Sequence, residues 1–257
     1  MKINISFVFF VGLCIIVGLI VCILIVVKKN KTFYKSNTKV SVIILSHKRS
    51  HNLKKSIPIL SKYKNINEII VLHSNDEHFI KHKNKKVKDI KDYENNKKFY
   101  TLRRFIHTEN CKNDAILLLD DDIFPSKQLL LKMLTEYDKN PVNCFGVFSR
   151  LCDKTGYHTI TVNSNIVLTP ILLSSKVIFT TVWKAMLDDK EKLNKVIEYK
   201  GNGEDLFFMN MFQKIYEQKP IVISGKYKSL DTSNGFSTTH PLDHYKIRND
   251  FCKTLYN

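Results

Sequence analysis

The sequence predicts an α/β domain built on a largely parallel sheet, set behind a single amino-terminal membrane anchor. Three observations carry this. Residues 5–27 are an unbroken run of apolar and small side chains, long enough for a bilayer core that takes about 20 helical residues. Short β-branched runs at 40–45 and 68–72 flank a helically spaced stripe, the pattern of a βαβ unit. Residues 114–126 read Asp-Ala-Ile-Leu-Leu-Leu-Asp-Asp-Asp-Ile-Phe-Pro-Ser, in which five apolar residues with the character of a doubly buried strand run into three carboxylates.

Taken in order, residues 1–4 are a tail, and the run at 5–27 lacks the short core and cleavage site of a removable signal peptide. Residues 28–38 are polar and aperiodic, a basic stalk, and 39–257 suits one α/β domain with a sizeable core. The strand at 40–45 opens into the polar loop Ser46-His47-Lys48-Arg49-Ser50. Leu53, Ile57, Leu60 and Tyr63 recur at helical spacing around Pro58, predicting a helix or kinked helix. A second strand is expected at 68–72, a short one at 87–90, and a helix carrying Phe99, Leu102, Phe105 and Ile106 before the central strand at 115–119. Ser126, or the Pro125-Ser126 pair, starts a helix over 129–137 that Asn140-Pro141 stops. Strands are expected at 145–149, 159–168 and 221–224, with a helix over 204–217. Residues 234–248 read as a loop bearing His240, His244 and Arg248 before a short terminal helix.

The net charge of +17 is concentrated along the chain. Residues 28–64 carry eleven Lys or Arg and no acid, 81–98 carry eight against three, and the remainder is nearly balanced. A basic stretch beside an anionic leaflet accounts for the first block, and no nucleic-acid motif accompanies the charge. Of the six cysteines, Cys14 and Cys22 lie in the anchor. Cys111, Cys144, Cys152 and Cys252 lack zinc spacing and are expected as buried free thiols.

In open α/β sheets the ligand crevice lies outside the carboxyl ends of the strands, so Asp120, Asp121 and Asp122 are delivered to a site. Three adjacent like charges require a cation, and carboxylate oxygens suit Mg²⁺ or Mn²⁺. The plainer alternative, a solvated acidic turn, fits a single Asp better than a triplet. Arg103 or Arg104 could meet a diphosphate bidentately, against a surface position for each taken singly. Asp205, Met209, Phe212 and Tyr216 share one helical face, so an acid heads an apolar stripe. Capping by Asn202 or the helix dipole is the alternative, but Asn202, Glu204 and Asp205 together exceed what one cap needs.

With those residues in place, four blocks resemble the exostosin-like glycosyltransferase domain, glycosyltransferase family 64, a retaining class of the GT-A fold. They are the opening strand and loop at 40–49; residues 118–123 with Asp120-Asp121-Asp122; Asn202-Gly203-Glu204-Asp205 with Asn210; and His244-Tyr245 with Arg248 and Cys252. The resemblance implies a Rossmann-like nucleotide-sugar-binding domain that moves a hexosyl or N-acetylhexosaminyl group from a nucleotide sugar, a UDP-sugar, to a glycan or glycoconjugate hydroxyl. It implies Mn²⁺ (or Mg²⁺) held by Asp122 with Asp120 and His244. Asp120, Asp121, Arg49, Arg103 and Arg104 face the donor, and Asp205, Asn202 and Arg248 serve catalysis. Two departures stand out. Gly203 replaces the first Cys of the family's late pair, so Cys252 is expected to lack a partner, and His47-Lys48 differs from the family's first loop.

Two alternatives come from other classes. A haloacid-dehalogenase-type phosphohydrolase expects Thr or Val two residues after its second Asp, where this chain has Ile123 and Phe124 after Asp122. A catalytically inactive, membrane-tethered binding module would tolerate degenerate acids, and these are intact. Lysine bias after the span favours a cytosolic domain, while the family expectation is the secretory lumen.

Overall fold

Residues 40–46, Val-Ser-Val-Ile-Ile-Leu-Ser, are buried throughout and form strand β1 (Val40–Ser46), as an uninterrupted β-branched run should when both faces of a parallel sheet are covered. The computed structural model describes residues 17–18, 34–159, 164–233, 235 and 239–256. The expected anchor at 5–27 lies outside these apart from Val17 and Gly18; among the described residues no helix is long and apolar enough to cross a membrane. Residues 1–35 and 36–257 are separate compact units, and the second holds the sheet. Its start is fastened by Asn65, whose Nδ2 donates to the carbonyls of Ser36 and Thr38.

β1 leads through helix α1 (Ser50–Leu60) to β2 (Ile66–His73), parallel to it. Pro58 sits inside the last turn of α1, and the helix ends two residues later. β3 (Val87–Lys91) pairs parallel with β2. Then come α2 (Tyr93–Phe99), a 3₁₀ turn (Tyr100–Leu102) and the single-turn α3 (Arg103–Ile106), before β4 (Ala115–Asp120). The one helix expected through Phe99 and Ile106 is therefore broken. Tyr100 takes φ 49° at the break, a conformation a helix interior does not admit. The apolar stripe still does its work, with Leu102 and Phe105 buried.

β4 lies parallel to β1, and β10 (Ile171–Ser175) runs antiparallel on its other side. With β6 (Phe145–Gly146) and β11 (Ile221–Val222) the order is β11-β6-β10-β4-β1-β2-β3. This is a mixed α/β sheet consistent with a GT-A-like fold. β5 (Ile123–Pro125) leaves the acids to pair with β12 (Tyr227–Ser229), and β7 (Ser149–Asp153), β8 (Gly156–His158) and β9 (Ile166–Val167) form a small separate sheet. The strand expected at 145–149 is split between β6 and β7. That expected at 159–168 is reduced to β9, with residues 160–163 outside those described. The 221–224 strand is only β11. These pieces are only two to five residues long, so propensity is overridden by what each can pair with.

Helix α4 (Lys127–Lys139) begins where expected, the Ser126 hydroxyl accepting from the Leu129 N–H, and ends at Asn140. α5 (Lys176–Asp188), α6 (Lys190–Glu198) and α7 (Glu204–Tyr216) follow. α7 is buried nearly all round its first two turns, with Leu206, Phe207, Phe208, Met209 and Phe212 fully enclosed. Such a helix belongs to a core rather than a surface, and each of these side chains contributes about 1.5–3 kcal/mol by burial. Phe208 stacks on Phe105 with centroids 4.8 Å apart, joining α7 to α3.

Two expectations are overturned near the carboxyl end. The 234–248 loop ends at helix α8 (Pro241–Tyr256), which carries His244 and Arg248. Pro at the first helical position is favourable because its missing N–H has no intrahelical role, and His244, Arg248 and Cys252 then recur every four residues. Cys252 is also not a free thiol: it is bonded to Cys152 on β7, across 100 residues. Spacing along the chain could not show this, because the pairing comes from α8 packing against β7 and β8. Cys111 and Cys144 are buried free thiols as expected.

Candidate active site

The β1 and β4 registers place Leu45 opposite Asp120, so the loops leaving these parallel strands are neighbours by construction. Arg49, from the β1 loop, makes ion pairs of 2.6 Å with both Asp121 and Asp122, and the His47 N–H donates to Asp121 Oδ2. Asp121 is 3% exposed. Burial pushes its carboxyl up to about 6, with Arg49 and the His47 N–H opposing. Its Oδ1 lies against Arg49 without hydrogen-bond geometry, so that contact is an ion pair only. The Asp120 and Asp122 side chains are more open, at 30% and 20%. Asp122 is raised by burial and then by the charge of Asp120, so these two acids repel across the crevice.

The two arginines of α3 are buried and differ in what they meet. Arg103 donates to the Leu72 carbonyl, Asp92 and Ser74; burial lowers its pKa to about 10. It is occupied within the scaffold. Arg104 Nη2 lies 2.8 Å from Asp120 and 3.7 Å from Glu204. Glu204 also accepts from the Thr169 hydroxyl at 3.0 Å, and burial followed by the Asp205 charge raises its pKa.

At the amino end of α7 the N-cap is Gly203 with φ 103° and no side-chain cap, so the capping alternative for Asn202 is not what is observed. A Cβ at Gly203 would lie 2.9 Å from Phe251 Cδ1; the backbone and its neighbour both suit glycine where the family's pattern has Cys. Asp205 is paired bidentately with Arg248 Nη2, at 2.8 and 2.9 Å. Asn202 meets the arginine side of this pair and the backbone one turn before it: its Oδ1 accepts from Arg248 at 3.5 Å, and its Nδ2 donates to the His244 carbonyl. Burial alone would disfavour the Arg248 cation, but Asp205, Tyr157 and Glu204 outweigh it and hold its pKa above the ordinary value. The guanidinium sits 4.7 Å above the Tyr157 ring, a cation–π contact. His244 is lowered to about 4 by burial and the Arg248 charge, Asp205 opposing.

The expected residues thus form two clusters joined by Arg104. One contains Asp120, Asp121, Asp122 and Arg49; the other contains Asn202, Asp205, His244 and Arg248. Arg103 stands apart. Sequence reasoning misses Thr169 and Tyr157. Neither sits in a motif, and Tyr157 lies on a three-residue strand whose place depends on α8. The sharing of one guanidinium by Asp120 and Glu204 is what links two distant blocks into one charged network.

No protein of curated function matches this chain. The model of the glycosyl transferase family 64 domain matches residues 40–257, nearly all of the compact unit, and the chain belongs to that family of glycosyltransferases.

Proposed function

We propose that the protein is a metal-dependent glycosyltransferase that moves a hexosyl or N-acetylhexosaminyl group from a UDP-sugar to a glycan or glycoconjugate hydroxyl with retention. The observation that carries this reading is Arg104 bridging Asp120 and Glu204, because it brings the strand-end acids and the acidic start of α7 to one place. The donor set fits a hard divalent ion: Asp120 and Asp122 offer partly exposed oxygens whose mutual repulsion is only partly relieved by arginine. Asp120 and Asp122 would hold Mn²⁺ or Mg²⁺, which supplies charge stabilisation to the departing diphosphate, while the expected third ligand, His244, lies in the other cluster beside Asn202 and Arg248.

In this proposal Asp121, buried beneath Arg49, positions that guanidinium rather than meeting ligand. Arg49 and Arg104 present cations toward the diphosphate. Asp205 holds Arg248 through Nη2, which donates to both carboxylate oxygens, and fixes its charge, so stabilisation of developing negative charge needs no reorganisation. The Asp205 carboxylate faces the positive centre that forms at the anomeric carbon, and Asn202 keeps the pair in register. Arg103 fixes Ser74 and Asp92 instead. The Cys152–Cys252 disulfide supports an oxidising compartment, against the lysine bias, so we place the domain in the secretory lumen behind its anchor.

The full-length chain, incubated with Mn²⁺ and a panel of nucleotide sugars, should release nucleotide from at least one UDP-sugar. Phosphate release from a monoester panel instead would favour the phosphohydrolase. No turnover with any donor, acceptors included, would favour the binding module.

A further inference from the structure

A second group of metal-binding side chains lies away from the acids, at the carboxyl ends of β2 and β3. His73 ends β2, Asp89 lies on the edge strand β3, and His82 belongs to the connection between them. In the parallel register Asp89 is opposite Val71, so Asp89 and His73 share a face of the sheet. His73 Nε2 lies 3.1 Å and His82 Nδ1 2.7 Å from the same oxygen, Asp89 Oδ1. The other oxygen, Oδ2, is held by the His82 N–H at 2.8 Å. The carboxylate is thereby oriented with Oδ1 facing two imidazoles.

The group is closed off. The Asp89 side chain is wholly buried, that of His73 is 1% exposed and that of His82 10%. No Lys or Arg pairs with Asp89 among the described residues. A buried carboxylate without a cation is costly, and two imidazoles sharing one acceptor oxygen make an incomplete network. His73 Nδ1 and His82 Nε2 are both buried without a hydrogen-bond partner. These are the ring nitrogens that do not meet Asp89, so they add no ligand to the set, which is formed by His73 Nε2, His82 Nδ1 and Asp89 Oδ1.

We propose that His73, His82 and Asp89 bind a structural Zn²⁺ ion. The three ligand atoms lie within 4.8 Å of one another, and a tetrahedral ion with bonds of about 2.0–2.1 Å needs them about 3.3 Å apart, a small opening of the two contacts to Asp89 Oδ1. Two imidazole nitrogens and one carboxylate oxygen suit Zn²⁺, whereas an all-oxygen set suits Mn²⁺ or Mg²⁺. The ion would staple the connection from Ser74 to Lys86, which has no regular structure and is also anchored on this face by Phe79 against His73, 4.7 Å between ring centroids, and by Asp76 paired with Lys91 at 2.8 Å. Entry is from the His82 side.

The test uses the full-length chain, stripped with a chelator and then equilibrated with Zn²⁺ or, separately, Co²⁺. After gel filtration, metal analysis should find about one equivalent of Zn²⁺ held by Asp122→Ala protein, in which the acidic crevice is disabled. Co²⁺ should give a visible ligand-field band. Zn²⁺ should raise the melting temperature by about 5 °C at a hundredfold excess over its dissociation constant. His82→Gln should lose the equivalent, the band and the shift, while His82→Cys should restore Zn²⁺ and add a thiolate-to-Co²⁺ charge-transfer band. Failure of Asp122→Ala protein to retain Zn²⁺, or undiminished retention by His82→Gln, overturns the proposal whatever the transferase assay shows.

Discussion

The two halves of the crevice handle charge in opposite ways. At the end of β4 three acids come from consecutive positions and meet two arginines from other elements, leaving the Asp120 and Asp122 side chains partly exposed. At the start of α7 one acid meets one arginine 43 residues away, both buried and already neutralised. The first half carries three acids against two arginines, the imbalance that the proposed ion would offset. The second is complete, so what it offers is a fixed dipole rather than a vacant coordination place. Removing one partner should therefore cost function in the first half and both function and stability in the second.

The largest effect is expected from Asp122→Ala. It should abolish metal-dependent nucleotide release and UDP binding in Mn²⁺, while the melting temperature stays within a few degrees, because the side chain is at a strand end outside the core. Retained turnover would remove Asp122 from the metal set and weaken the contrast at its root. Asp205→Asn should leave UDP binding nearly intact and lower turnover by orders of magnitude, as for a group acting in the transition state. Unlike Asp122→Ala, it should also destabilise the fold, by about 3–5 kcal/mol, since it strands the buried Arg248 charge. A melting curve that does not move would show that the pair carries no stability and break the comparison.

Legibility in the sequence follows the same division. Residues 115–120 and 126–140 are readable because continuous burial and a Ser cap leave local signatures, and the Asp triplet is contiguous. The Asp205–Arg248 pair is readable only as two separate residues. What joins them is the helix α8, whose spacing of His244, Arg248 and Cys252 is present but obscured by the polar stretch before Pro241. The short strands β6, β7 and β9 are misplaced by a sequence reading because two- to five-residue pieces take their form from neighbours that no local window contains. The disulfide escapes for the same reason: its geometry exists only once α8 lies on β7.

That disulfide reinforces the second half alone, since Cys252 lies one turn beyond Arg248. Cys152→Ser with Cys252→Ser should cost about 2–5 kcal/mol, a fall of roughly 10 °C in melting temperature. Calorimetry with and without reductant checks it. Turnover should fall less than in Asp205→Asn, and metal-dependent UDP binding should be unchanged. Equal loss of UDP binding would mean that the two halves are mechanically one.

The smallest expected effect concerns the residue between them. Glu204 is held by Arg104 and Thr169, yet burial and the Asp205 charge raise its pKa above the ordinary glutamate value of 4.5. A carboxyl raised in the folded state binds its proton more tightly there than in the unfolded chain, so its contribution is fully present below about 4.5 and is lost as pH rises through the folded value. Metal-free protein should accordingly lose stability from this group over that window, with a slope of at most about 1.4 kcal/mol per pH unit. Glu204→Gln keeps the Thr169 contact and cannot titrate, so subtracting its stability curve from that of the parent isolates the slope. Asp89 and Asp92, which are lowered and so act with the opposite sign, cancel in the difference. A flat difference curve would mean that Arg104 keeps Glu204 ionised throughout, making the bridge a full ion pair and the crevice a single charged unit rather than two halves of different character.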